Sequence, residues 1–176
     1  EPAHVPAVAA VRQAGSAVVD DGATLDALLA LADDVLREHV YGVPAATWLA
    51  STDVAAFDRW VDAGPTLPAR LLRRMRDEAP GLGRSDVALM PDATLESLRR
   101  AVIGDLEAEP DYARLPRWGG LPAETGALAR QAASPLIAAL LARDGRTAST
   151  RFVARLVELR GLLLLVRIGR VLLDHL

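Results

Sequence analysis

The chain contains no cysteine, and its 176 residues include no lysine or asparagine, so all 20 basic residues are arginine. Without cysteine there is no disulfide, no thiolate-bound metal and no cysteine nucleophile. Without lysine there is no Schiff base and no P-loop of the ordinary kind. These absences exclude many common enzyme chemistries before any motif is considered.

Aromatic residues are also scarce, at 4% of the chain, whereas 51% of the residues are hydrophobic, mostly alanine, leucine and valine. Such residues favour closely packed helices over aromatic-rich sheets, and the length corresponds to one domain. We therefore expect residues 1–176 to form a single all-α domain. It would be a multi-helix bundle with a long, largely buried C-terminal helix and an irregular loop rich in proline and glycine.

The charge pattern bears on the partners. The net charge is -3 and no block of basic residues is present, which argues against nucleic acid. The most apolar run, 161–166, is far shorter than the roughly 20 residues that span a bilayer, so no membrane segment is expected. Because the first residue is Glu1, we expect a product trimmed at its N-terminus, with the same question open at the C-terminus.

Helical periodicity dominates the chain, and no convincing alternation typical of strands is seen. Capping residues, glycine and proline delimit helices predicted over 24–40, 53–63, 67–78, 94–106, 124–133, 134–143 and 147–176. Residues 80–91 and 109–122 read as loops. In the last helix, Arg151, Arg155 and Glu158 share one face, and a second charged group lies roughly opposite: Arg160, Arg167, Arg170 and Asp174. This pattern predicts a helix covered from two directions, or one bent near Gly161.

The three histidines do not suggest a metal site, because His4, His39 and His175 are far apart and lack any ligand spacing. His39 falls on the apolar face of its predicted helix, where a hydrogen-bonded core residue is expected. No serine nucleophile motif and no glycine-rich phosphate loop is present either.

One segment is less ordinary. A loop shaped by proline and glycine presents Arg117 and Trp118, then leads into a predicted helix that carries Glu124 in its first turn and Arg130 one to two turns later. A carboxylate suits that end of a helix. The plain interpretation is a loop and helix cap held by Trp118, with the arginines exposed.

This segment resembles part of the large subunit of nickel-iron hydrogenases, which reads roughly P-R-aromatic-x-G and then E-x-G-P-L-A-R. Here the two pieces are Pro116-Arg117-Trp118-Gly119-Gly120 and Glu124-Thr125-Gly126-Ala127-Leu128-Ala129-Arg130, with alanine in place of the family's proline at position 127. Upstream, residues 34–48 are similar to a large-subunit helix that carries D-H-V before a tryptophan-containing stretch. Together the two regions extend the resemblance over most of the chain.

The departures from the family are informative. Large subunits hold their nickel-iron centre with four cysteines, and this chain has none; it also lacks the lysine often found before the P-R pair. A cysteine-poor relative resembles the HupK-type hydrogenase expression/formation proteins. The resemblance implies a cytoplasmic, non-enzymatic scaffold or chaperone for maturation of uptake hydrogenase, with maturation proteins or the large subunit as partners.

The resemblance to HupK-type proteins implies that the chain has no resident cofactor. It also implies contact with the iron-cyanide-carbonyl precursor, either directly or through partner proteins. Arg117 and Arg130 would donate hydrogen bonds to cyanide, and Glu124 would orient one of them; planar guanidinium groups suit that task. Two alternatives stay open. The chain is a fragment of an enzymatic large subunit whose cysteines lie outside it, or a helical protein-interaction domain without cofactor.

Overall fold

The computed structural model describes residues 22–50, 53–103 and 114–173. These residues are mostly helical, as expected, and they also contain a small three-stranded sheet. The all-α expectation is therefore right for the bulk of the described chain and wrong in detail. Among the described residues, no helix is long and apolar enough to cross a membrane.

The first described helix, α1, covers Gly22–Val35 and continues as a π-helical turn over Leu36–Tyr41. Gly42 ends it in a left-handed conformation, with φ of 74°, a backbone geometry that glycine adopts without steric cost. A short helix, α2, follows over Ala45–Ala50. The predicted helix over 24–40 is thus confirmed, although its last turn is wider than an α-helical one.

Helices α3 (Val54–Ala63) and α4 (Leu67–Glu78) begin and end where the sequence predicts. The side chain of Asp53 caps α3, and that of Thr66 caps α4, by accepting hydrogen bonds from backbone amides of the first turn. Gly64 ends α3 in a left-handed conformation. These boundaries depend on local chemistry, which explains why they can be read from the sequence.

The sheet lies in stretches that were expected to be loops. Strand β1 is Ala88–Leu89, β2 is Arg117–Trp118 and β3 is Leu121–Glu124. β3 lies in the middle, parallel to β1 and antiparallel to β2. Gly119 and Gly120 connect β2 to β3, both with positive φ, the geometry of a tight hairpin turn. The irregular proline- and glycine-rich loop is therefore partly a β-hairpin.

Between β1 and β2, Thr94 caps a helix, α5, over Leu95–Leu98, which continues as a π-helical segment over Arg99–Ile103; the rest of the predicted helix, 104–106, lies outside the described residues. After the sheet come α6 (Ala127–Gln131), α7 (Pro135–Asp144) and α8 (Ala148–Leu173). The helix predicted over 124–133 begins later, because Glu124 pairs in the sheet. Glu124 is therefore not in the first turn of a helix.

The core is formed by the π-helical turn, α2, α3, α4, α6, α7 and the first half of α8. Aromatic rings of Tyr41, Trp48, Phe57 and Trp60 pack against one another with centroids 4.9–6.5 Å apart. Helix α8 is as long as expected, at 26 residues, and runs through Gly161. Its first half is buried through side chains such as Val153, Ala154 and Leu156. The structure does not describe the side chains of residue 160 and of residues 162–176. The charged group predicted on the opposite face, Arg160, Arg167, Arg170 and Asp174, therefore lies outside the described side chains.

His39 is exposed, so the expectation of a core histidine is wrong. The apolar face predicted for this helix is not the buried one, since Leu28 and Val35 on it are 47% and 44% exposed. A π-helical turn follows over Leu36–Tyr41. Its hydrogen bonds join residues five apart, so the turn holds more residues than an α-helical one and shifts the buried face. Tyr41, two residues later, becomes the fully buried side chain. His4 and His175 lie outside the described residues.

Candidate functional site

The segment singled out by the sequence folds as the hairpin followed by α6. In the hairpin, Arg117 is the register partner of Pro122, and Trp118 that of Leu121. Glu124 closes β3, where its backbone carbonyl accepts a 2.8 Å hydrogen bond from the amide of Met90. The hairpin thus places Arg117 on one strand and Glu124 on the next, while Arg130 follows on α6.

Glu124 is bound to a residue outside the segment. Its two carboxylate oxygens accept hydrogen bonds from Nε and Nη2 of Arg151 on α8, the second at 2.7 Å. The side chain of Glu124 is 15% exposed and that of Arg151 28%, so the pair is partly shielded from water. The hydrogen bonds to Glu124 raise the pKa of Arg151 above its ordinary value. Glu124 therefore holds Arg151, a residue of α8 outside the segment.

Arg130 makes a second two-pronged ion pair with α8. Its Nε and Nη2 donate to the two carboxylate oxygens of Glu158, the latter bond being 3.1 Å long. The hydrogen bond from Arg130 holds the pKa of Glu158 below its ordinary value. The side chain of Arg130 is nevertheless 61% exposed, and its Nη1 has no hydrogen-bond partner among the described residues.

The two ion pairs fasten the segment along one face of α8. Arg151 and Glu158 are seven residues apart, which places them on the same side of an α-helix about two turns from each other. The shared face of Arg151 and Glu158 was visible in the sequence. The sequence pattern does not show that this face contacts residues 124–130. Arg151 and Glu158 are therefore not among the site residues that the sequence predicts.

Arg117 is half-buried on β2. Glu124 at the end of β3 and Arg130 on α6 each pair with a residue of α8, whereas Arg117 lies on β2. The signal for the hairpin was the Gly119-Gly120 pair, a dipeptide typical of two-residue β-turns. That signal would have placed Arg117 and Glu124 on neighbouring strands.

An open groove of about 520 Å³ lies beside Arg130. The segment supplies part of its wall, and the chain from β1 to α5 supplies the rest; the lining residues are Met90, Pro91, Asp92, Ala93, Leu98, Thr125, Gly126, Ala129 and Arg130. The walls are mainly apolar with one cation and one carboxylate. A groove of this composition suits a small amphiphilic group or a side chain of another protein.

In the described part of the chain, no group of three or more histidine, aspartate, glutamate or cysteine side chains is arranged to hold a metal ion. The whole sequence is free of cysteine. The residues at the groove therefore do not supply the thiolate ligands that the large-subunit resemblance would require.

Comparisons with protein-family models, with curated proteins and with solved structures found no match. The resemblance to hydrogenase large subunits thus depends on the residues of segment 116–130 and on residues 34–48.

Proposed function

We propose that this chain is an accessory scaffold in the maturation of nickel-iron uptake hydrogenase and that it acts through protein contacts. The observation that carries the proposal is the double attachment of segment 124–130 to α8 through Glu124–Arg151 and Arg130–Glu158. The segment that resembles the large subunit is thereby held in one conformation. A rigid binding surface loses less conformational entropy on association than a flexible one.

The groove beside Arg130 is the contact surface in this proposal. Arg130 stands at its edge with an exposed guanidinium whose orientation is set by Glu158. Arginine at a binding surface offers several fixed donors and is enriched among residues that dominate binding energy. The partner would be a hydrogenase maturation protein or the large subunit.

The iron-cyanide-carbonyl precursor has the role of cargo in this proposal. If a partner brings it to the groove, Nη1 of Arg130 can donate a hydrogen bond to cyanide, whereas the ligands of the iron have to come from the partner. Asp92 also lines the groove, and its negative charge opposes a cyanide nitrogen. Because the groove lacks ligands for the iron and Asp92 opposes cyanide, we expect the scaffold to contact the protein that carries the precursor rather than to bind the precursor itself.

A second candidate is a helical interaction domain without any role in cofactor handling. It accounts for the same two ion pairs, at Glu124 and Arg130, without giving either side chain a ligand or a partner. In that case the two side chains stabilise the fold, and the resemblance has no functional content.

The experiment is a pull-down of the tagged full chain from cells of the native host that express hydrogenase, with variants Arg130→Ala and Glu158→Ala. Both remove the same ion pair, but only Arg130→Ala removes the guanidinium. We expect the large subunit or its maturation proteins to co-purify, and Arg130→Ala to reduce hydrogenase activity in cells far more than Glu158→Ala. Equal effects would assign Arg130 a structural role, and absence of hydrogenase proteins from the pull-down would refute the scaffold.

Infrared spectroscopy of the same sample tests the cargo, because bound cyanide and carbonyl absorb in a region free of protein bands. Bands that co-purify with the chain would support direct contact with the precursor, and their absence would restrict the role to protein binding. The enzymatic alternative is tested by the native open reading frame: two pairs of cysteines flanking this region would establish a large subunit.

A further inference from the structure

A cavity of about 250 Å³ opens between the loop that follows α4 and the turn that joins α7 to α8. Its charged lining residues are Arg84, Asp86 and Arg146, and Leu89 on β1 and Leu141 on α7 form an apolar wall. Small ligands bind in concave sites of this kind, where a few polar groups set the orientation and apolar side chains cover the rest.

The two chain segments that form the cavity are fastened to each other. The amide of Ser85 donates to the carbonyl of Arg146 at 3.1 Å, and Nε of Arg146 donates back to the carbonyl of Ser85 at 3.0 Å. Beside this pair, the amide of Ala148 donates to the carbonyl of Leu82 at 2.8 Å. A ligand between the two segments therefore meets a site that is already formed, and its binding loses little free energy in ordering the chain.

Arg146 is held in place without having its charge neutralised. The bond from its Nε to a neutral carbonyl orients the half-buried side chain, whereas Nη1 and Nη2 have no hydrogen-bond partner among the described residues. Arg143, three residues earlier, differs because aspartates occupy its Nε, Nη1 and Nη2. The fixed, unoccupied donors of Arg146 suit the two-pronged binding of an oxyanion.

Arg84 reaches the same cavity from the other segment. Its Nη1 lies next to Gly145, where a Cβ would be 3.4 Å away, and its side chain makes no hydrogen bond or ion pair with another described residue. Asp86 also lines the cavity, but no described ion pair joins it to either arginine. Two positive charges and one negative charge leave the lining with about +1 near neutral pH, so it attracts an anion.

From these observations we infer that the cavity between residues 84–86 and 145–146 binds a small oxyanion of the phosphate type, either free phosphate or the phosphate group of a small ester. Nη1 and Nη2 of Arg146 donate to its oxygens, and Arg84 adds the second positive charge. This inference is independent of the proposed role in hydrogenase maturation, because none of its residues belongs to segment 116–130.

The test titrates inorganic phosphate and phenyl phosphate into the full chain at about pH 7.5, where phosphate is mostly doubly charged. Chloride at the same ionic strength is the reference, and two-dimensional NMR follows the backbone amides of residues 84–86 and 145–147. We expect inorganic phosphate to shift these amides saturably, with a Kd of about 1–10 mM. Shifts equal to those with chloride, or shifts confined to other residues, would overturn the inference.

The two phosphates distinguish the possible sources of the anion, and both of the following outcomes support an oxyanion site. Tighter binding of phenyl phosphate would mean that the apolar wall at Leu89 and Leu141 receives the organic part of an ester. Equal binding of the two would mean that the site takes the phosphate group alone.

Two charge changes of opposite sign locate the site and identify its chemistry. Arg84→Gln removes a positive charge and should weaken phosphate binding about two- to fivefold, whereas Asp86→Asn removes the opposing charge and should strengthen it by a similar factor, as for one exposed charge contact. Neither side chain bonds to another described residue, so the fold should be unaffected. Arg74→Gln, at an exposed pair with Glu78, is the control.

Circular dichroism and thermal unfolding of each variant establish that it is folded before binding is compared. If folded Arg84→Gln and Asp86→Asn both bind phosphate as the unmodified chain does, the anion is elsewhere and the assignment to this cavity is wrong. If the two changes shift the affinity in the same direction, the cavity does not select by charge and the phosphate class is wrong.

Discussion

Glu124 at the end of β3 and Arg151 on α8 form a two-pronged ion pair that joins the sheet to the longest helix, 27 residues further along the chain. Nη1 of the same guanidinium donates to the carbonyl of Gly83 at 2.6 Å. One arginine thereby connects a strand, the loop that follows α4 and the first turn of α8. The position of segment 116–130 depends on this junction.

The first prediction concerns this pair. Glu124→Gln removes the negative charge opposite a partly buried guanidinium, and we expect a loss of about 1–2 kcal/mol in the free energy of unfolding. Urea denaturation measures it. The matched control is Glu78→Gln, whose partner Arg74 is 73% exposed and whose removal should cost no more than about 0.5 kcal/mol. Equal effects of the two changes would contradict the structural role assigned to Glu124.

The second prediction concerns pH. Because Arg130 lowers the pKa of Glu158 in the folded chain, the ionised pair contributes stability that is fully present above the ordinary glutamate pKa of 4.5. That contribution is lost as the pH falls through the lower folded-state pKa. Carbon-detected NMR titration should show the pKa of Glu158 rising towards 4.5 in Arg130→Met. Arg37→Met, which alters a remote exposed pair, should leave the titration of Glu158 unchanged, and an unchanged curve in Arg130→Met would contradict the pairing.

The third prediction concerns the turn after the π-helical segment. A Cβ at Gly42 would lie 2.9 Å from Cβ of Pro65, and the backbone there has a φ of +74°. Gly42→Ala should therefore destabilise the fold by about 2 kcal/mol through left-handed strain and crowding. Gly81→Ala is the control, since a Cβ there meets no atom within 4 Å. Thermal unfolding of the two variants should differ clearly, and similar midpoints would show that Gly42 is replaceable.

The fourth prediction concerns the core. Ile137 on α7 is fully buried, and Ile137→Ala should cost about 3–4 kcal/mol because it removes apolar contacts and leaves a cavity. Leu115→Ala removes a side chain that is 64% exposed and should change stability by less than about 0.5 kcal/mol. Denaturant unfolding distinguishes the two. A small loss for Ile137→Ala would mean that α7 is not part of the core.

Much of the helical architecture could be predicted from the sequence because helix boundaries are set by neighbours in the chain. Asp53 and Thr66 cap the helices that follow them, and Gly64 ends α3 in a left-handed conformation. Each effect involves residues within one turn. The buried aromatic cluster around Trp48 and Phe57 could not be assembled in this way, since it requires helices that meet only after folding.

The sheet could not be predicted from periodicity because β1 and β2 have only two residues each. Alternation over two residues is indistinguishable from chance, and β1 pairs in parallel with a strand more than 30 positions away, with Ala88 opposite Ala123. Only the Gly119-Gly120 turn carried a local signal. The exposed position of His39 was likewise hidden, because tertiary packing leaves the apolar face of its helix, including Leu28 and Val35, exposed.

The sequence alone predicts the lack of cysteine and lysine chemistry, the bounds of most helices and the resemblance carried by residues 116–130. It also placed Arg151 and Glu158 on one face of the last helix. The packing of the folded chain, in contrast, shows that this face binds Glu124 and Arg130, so the two candidate residues also attach the segment to α8. Helix caps and helical periodicity depend on residues a few positions apart in the chain. The partner of a charged side chain, in contrast, depends on how the whole chain packs.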